Sequence, residues 1–256
     1  MDRARLPRLW HFPISHFNEK VRWALDHKGI PHVREVLTLD YLPRAWWATG
    51  QGSLPILHLD GRAIADSTAI IAALEERFPD RPLYPADEQD RRRALELEDY
   101  FDEQLGPAVR AVGIGTMMQH DRSVALAALT TGWSAGKRRV AEVMGPLLMP
   151  VYMWRHRIDL GQLEREMQTV AEAMDRIVAE RQPSGYLVGE EFSVADLTAA
   201  SLMSAAVMPA EMQYRLPGGP PAGLTNMQAT TPDHPSFEWV RDIYRRHRGM
   251  SAEVTD

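Results

Sequence analysis

Apolar and polar positions alternate first, then repeat at helical spacing, and this pattern recurs through the first third of the chain. Residues 8–12 read as a strand, 13–16 as a turn, and 17–27 as a helix with Val21, Trp23, Ala24 and Leu25 on its apolar surface. A second alternation over 32–39 predicts another strand, and 43–48 a short helix. The stretch SLPILHLDGRAIADSTAII, 53–71, then compresses a strand, a two-residue Asp60-Gly61 turn, a returning strand over 62–65 and a helix start at Asp66-Ser67-Thr68. The apolar face of that helix is Ile70, Ile71 and Leu74. The predicted order is β-α-β-α-β-β-α. Pro55 removes a ladder donor from the third strand and so belongs at an edge, a bulge or a cis bond.

The pattern changes at 79–85, where three prolines in seven residues oppose continuation of helix or sheet. We take 1–80 as an α/β domain, 81–88 as a linker and 89–256 as a second, all-α domain. Helical periodicity beyond the break covers 87–112, about 122–157, 160–181, 193–207 and 237–248. Ser193 followed three residues later by Asp196 marks a capping box, with a structural role. The stretch 113–150 is rich in methionine and glycine and reads first as ordinary core filling, with an adaptable apolar wall as the functional alternative, whereas 209–235 is rich in proline and glycine and is expected to be an extended loop.

Composition narrows the chemistry. None of the 256 residues is cysteine, which excludes disulfides, CxxC redox pairs, thiolate metal sites and a catalytic thiol. A net charge of -6 and a pI of about 5.9 argue against a general nucleic-acid binder. The opening MDRARLPRLW has no apolar signal core and no uncharged run is long enough for a membrane span, so a soluble cytoplasmic protein is expected. No GxSxG elbow, HExxH pair or glycine-rich phosphate loop occurs, so hydrolase, metal and nucleotide chemistry find no support. Two features remain. Ser15 sits at a strand-to-helix turn, and Asp66-Ser67 opens a helix whose free N–H groups and positive dipole end suit a carboxylate.

This ordered set resembles the glutathione-binding half of cytosolic glutathione transferases, with a thioredoxin-like α/β N-terminal domain and an all-α C-terminal helical bundle. The segment FPISHFNEKVRWAL is similar to the family's first-helix segment and puts Ser15 where a Ser, Tyr or Cys faces the sulfur of glutathione. The resemblance implies that Leu54, preceding Pro55, pairs through its backbone with the cysteinyl part of glutathione and that Asp66 and Ser67 bind its γ-glutamyl end. YLVGEEFSVADLTAAS looks like the family's capping-box region. His16 and Asn18 are secondary candidates for the sulfur, His16 being read as a turn residue.

One departure concerns the glycyl end of glutathione. Many relatives read Asn-Pro-x-Gly-Lys-Val-Pro where this chain reads Thr49-Gly50-Gln51-Gly52-Ser53-Leu54-Pro55, so Ser53 replaces a lysine that often contacts the glycyl carboxylate. Gln51, Arg44 and Trp46 are candidates to compensate. The resemblance further implies glutathione as co-substrate, an apolar electrophile as second substrate, no metal and a homodimer. A non-catalytic ligand- or protein-binding module of the same fold is the alternative.

Overall fold

The computed structural model describes residues 3–215, 219, 221–230 and 233–255. Strand β1 (Arg8–His11), helix α1 (His16–His27) and strand β2 (Val33–Val36) form a parallel crossover, and α2 (Tyr41–Thr49) leads to the hairpin of β3 (Ile56–Leu59) and β4 (Arg62–Ala65). The sheet order is β2-β1-β3-β4, with β3 antiparallel to both neighbours. Asp60 and Gly61 take φ of 49° and 78°, the left-handed pair that a two-residue hairpin requires. Strand β3 is thus internal, not an edge, and Pro55 stands just before it, where no ladder donor is needed; the Leu54-Pro55 peptide is cis. Helix α3 (Ser67–Arg77) closes this unit, its Ile70, Ile71 and Leu74 fully buried as the periodicity predicts.

The rest is helical among the described residues: α4 (Glu88–Tyr100), α5 (Gly106–His120), α6 (Arg122–Leu129), α7 (Ala135–Arg155), α8 (Leu163–Glu180), α9 (Val194–Val207), α10 (Ala222–Thr230) and α11 (Pro235–His247). The single helix expected over 87–112 is interrupted. Phe101–Leu105 forms a wide π turn, the Gly106 N–H reaching the Phe101 carbonyl, and α5 leaves it with a new phase. The loop expected over 209–235 also contains α10, whose Leu224 and Met227 are buried; neighbouring prolines and glycines hide this two-turn apolar pattern.

Helix α9 runs through the centre and packs against α1, with Ala195, Ala199, Ala200 and Ala206 fully buried. Its start is more firmly tied than a capping box alone: Asp196 accepts from the Ser193 N–H and hydroxyl (2.9 Å each) and from the Leu187 N–H (2.8 Å). Burial raises the Asp196 carboxyl to about 6.

A buried ionic cluster joins α1 to the chain's end. Arg248 reaches Glu19 at 2.6 Å and Asp26 at 3.0 Å, Arg34 reaches Asp26 at 2.8 Å, and Arg22 reaches Glu19 at 2.9 Å. Arg22 also donates to the carbonyls of Phe12 (3.1 Å) and Pro13 (2.9 Å), so the cluster fixes the β1–α1 turn that carries Ser15.

Candidate functional site

A cleft of about 320 Å³ opens between the sheet unit and helices α5 to α7. Ser15, Ser53 and Leu54 line it on one side, and Ile114, Met117, Leu126 and Met149 supply apolar walls on the other. Sequence-predicted residues from two separate segments therefore meet there.

Ser15 is the N-cap of α1, in extended conformation, and its Oγ accepts from the Asn18 N–H at 3.4 Å. The serine O–H has no acceptor among the described residues. A cap serine uses its lone pair, not its proton, so this hydroxyl can serve the helix and still donate into the cleft.

Leu54 lies outside the ladder, and its backbone groups have no partner among the described residues. Ala65 pairs with Ile56, so Asp66 emerges from β4 beside Pro55. Asp66, at φ 77°, caps α3 by accepting from the N–H groups of Thr68 (3.0 Å) and Ala69 (3.1 Å), and Ser67 is buried at the first helical position. Neither Asp66 nor Ser67 lines the cleft wall itself; they form a separate ledge at the end of the hairpin. Behind it, Thr68 Oγ1 donates toward Asp102 (2.8 Å) and Glu98 (3.1 Å), which share Lys20 at 2.5 and 2.8 Å. Two carboxylates against one lysine leave an acidic surplus beneath the ledge, and burial raises the pKa of Glu98.

His16 is not a turn residue exposed to solvent. It is buried as the first residue of α1, its Nε2 is 3.0 Å from the Gly106 carbonyl, and burial followed by the Arg110 charge lowers its pKa to about 3. The neutral ring donates to Gly106, which occupies that nitrogen. Asn18 is buried as well, its Oδ1 accepting from the Phe12 N–H at 3.3 Å, and it lies outside the cleft lining.

The candidates for the missing lysine are placed elsewhere. Arg44 is held by Glu35 at 2.7 Å and stacks 4.4 Å over Trp10, while Gln51 and Trp46 face solvent. Arg155, at the end of α7, comes closest: a Cβ added to Gly52 would lie 2.5 Å from its Nη2. Arg155 and Arg110 both line the cleft, and sequence reasoning missed both. The only local hint was Gly52, since glycine beside a binding loop often marks a close approach.

Arg110 stacks 5.1 Å from the Phe17 ring, with Nη1 3.3 Å from His156 Nδ1. Burial, then the charges of Arg110 and Arg155, lower the pKa of His156 to about 4, so its neutral ring accepts. Among the described residues, no group of three or more metal-ligating side chains is assembled and no helix is long and apolar enough to cross a membrane.

Comparisons with known proteins agree with this architecture. Residues 9–82 match the family described as glutathione S-transferase, N-terminal domain, and residues 140–229 the family described as glutathione S-transferase, C-terminal domain. Glutathione S-transferase DHAR2 of Arabidopsis thaliana is 30% identical over 69 residues, 26% of this chain and 32% of that protein. FtsZ-localized protein A of Caulobacter vibrioides is 25% identical over 203 residues, 77% of this chain and 75% of that protein. The match thus spans about a third of the length of the first and three quarters of the second. A Methylobacterium radiotolerans glutathione S-transferase, solved in complex with glutathione sulfonate, shares the fold at a TM-score of 0.60 and 21% identity, covering 98% of both chains.

Proposed function

Because this chain belongs to the glutathione S-transferase superfamily, we propose that it binds glutathione and that Ser15 holds the thiol ionised for attack on an electrophile in the apolar part of the cleft. The observation that carries this reading is the unclaimed Ser15 proton, facing the same cleft as the unpaired backbone of Leu54. In this reading the cysteinyl peptide group pairs with Leu54. The γ-glutamyl carboxylate rests on the Ser67 N–H and hydroxyl, with its ammonium beside Asp66. Arg155, beside Gly52, supplies the cation for the glycyl carboxylate that Ser53 lacks. The same reading includes a thioredoxin-like unit over 1–80, a homodimer and a cytoplasmic location.

The magnitudes suffice. A free thiol with pKa near 8.5 is only about 3% thiolate at neutral pH, and lowering that pKa by about two units requires roughly 2.7 kcal/mol. One hydrogen bond to a charged acceptor contributes about 1.5–3 kcal/mol, and a helix N-terminus a further 0.3–1 kcal/mol or so. The serine neither ionises nor attacks; it stabilises charge on sulfur, which then bonds to the electrophilic carbon.

Ser15→Ala is expected to lower kcat/KM roughly ten- to hundredfold and to weaken the ultraviolet thiolate band of bound glutathione, with glutathione affinity changed only a few-fold. Unchanged turnover and an unchanged band would contradict the role. The similarity to FtsZ-localized protein A, a name that records a location rather than a reaction, favours a second reading as a non-catalytic binding module. Calorimetric binding of glutathione without any thiolate band in the wild type would select that module.

A further inference from the structure

Building on the reading of the cleft as a thiol-transfer site, we propose that the electrophile bears a carboxylate and that Arg110 receives it. Among the described residues, two arginines and two histidines line the cleft, with no aspartate or glutamate. Elsewhere in the interior this protein pairs its arginines: Arg22, Arg34 and Arg248 each have a carboxylate at 2.6–2.9 Å. Arg110 is the contrast. It lies one turn beyond Gly106, whose carbonyl binds His16, and is therefore close to the Ser15 turn on the opposite wall. Its guanidinium is partly desolvated against Phe17 and gives one N–H to His156, and no carboxylate pairs with it among the described residues.

A guanidinium has five donors arranged to grip a carboxylate in two-point fashion, and a partly dry site strengthens that contact. Tyr152 beside it stays protonated, burial having pushed it up to about 12, and adds a second donor type. The neighbouring His16 and His156 are neutral near pH 7, so the positive charge of this wall belongs to arginine and persists across the physiological range. Glutathione's own carboxylates already have places, at the α3 ledge and at Arg155, which leaves Arg110 to the second substrate. The surrounding Ile114, Met117, Leu129 and Leu148 suit a ring or hydrocarbon body. The co-substrate class is thus an unsaturated or aromatic acid with its anionic end on α5.

The test compares chlorodinitrobenzoic acid with its methyl ester, which share ring and leaving group. Glutathione thiolate forms the C–S bond and chloride departs with the electrons of the C–Cl bond. Arg110→Gln is expected to lower kcat/KM for the acid about ten- to hundredfold and for the ester less than about threefold, with the thiolate band intact and partial recovery of the acid in Arg110→Lys. Equal losses on both substrates, or no loss on the acid, would overturn the assignment. Should Arg110→Gln fail to fold, the wild type decides: benzoate must inhibit ester turnover more strongly than benzamide, and equal inhibition overturns it. A wild type without a thiolate band refutes the transferase reading alone. Calorimetry with the acid then judges Arg110 separately, tighter binding to wild type than to Arg110→Gln upholding it and equal binding rejecting it.

Discussion

Arg248→Met is expected to destabilise the protein by about 3–5 kcal/mol, a large share of the about 5–15 kcal/mol of an ordinary chain. Arg248 is fully buried and is shared by Glu19 and Asp26, both also buried. Burial alone would raise those two carboxyl groups, but Arg248 together with Arg22 and Arg34 outweighs it and holds both below their ordinary values. Removing the cation takes one of two arginine partners from each carboxylate in a dry interior, leaving Glu19 to Arg22 and Asp26 to Arg34. The damage extends to the turn that carries Ser15, because Glu19 orients Arg22 and Arg22 holds the carbonyls of Phe12 and Pro13. Urea unfolding checks this: the midpoint should drop sharply in Arg248→Met. It should hardly move in Arg245→Met, whose exposed ion pairs with Glu238 and Asp242 are 3.7 and 3.8 Å long. Similar midpoints for the two variants would show that the cluster is not what fastens α1 to the chain's end.

Acid is expected to unfold this protein well before its ordinary carboxylates titrate. Histidines 16, 27, 32, 156 and 247 are held at about 3 to 4, and His11 well below its usual value, in each case chiefly by burial. Their unfolded value is 6.5. Above that pH both states are neutral and nothing is lost. As pH falls through 6.5 toward 4, the unfolded chain gains protons that the folded protein refuses, and stability falls by about 1.4 kcal/mol per pH unit for each such proton. Asp196, raised to about 6, and Glu98, also raised, act in the opposite sense, since their folded forms take up protons first. The histidines outnumber them. The melting temperature should therefore fall steeply between pH 6.5 and 4 and be nearly level from 7 to 8. A flat profile across the acid window would mean that these rings reach water in the folded state.

Much of the fold was legible because its signals are local. Alternation located β1 and β2, Asp60-Gly61 the hairpin, Asp66 the cap of α3, and Ser193 with Asp196 the start of α9. What escaped is set by contacts between distant segments. The π turn at 101–105 has no composition of its own and exists because α4 and α5 must present different faces. Helix α10 depends on burying Leu224 and Met227 under a stretch whose prolines and glycines argue for a loop. His16 reads as a turn histidine until Gly106 is brought to it, and Arg155 reads as a surface helix end until it is set over Gly52. The candidates themselves were legible to different degrees. Ser15 and Leu54 were chosen from separate local motifs, and both line one cleft. Arg44, a nearby cation, is instead held by Glu35, a strand-to-helix pairing of β2 with α2 that linear spacing does not reveal.

The extra residue in the wide turn between α4 and α5 acts on azimuth. Before it, α4 aims Glu98 at Lys20; after it, α5 aims the Gly106 carbonyl at His16 and Arg110 at the cleft. Each residue of an α-helix advances the side-chain direction by about 100°, so excising one position such as Glu103 would swing every later side chain of α5 around the rod by that angle. An indel here would therefore rewrite which groups face the cleft while hardly altering the helix's length, making this short segment a hinge point for divergence among otherwise superimposable chains.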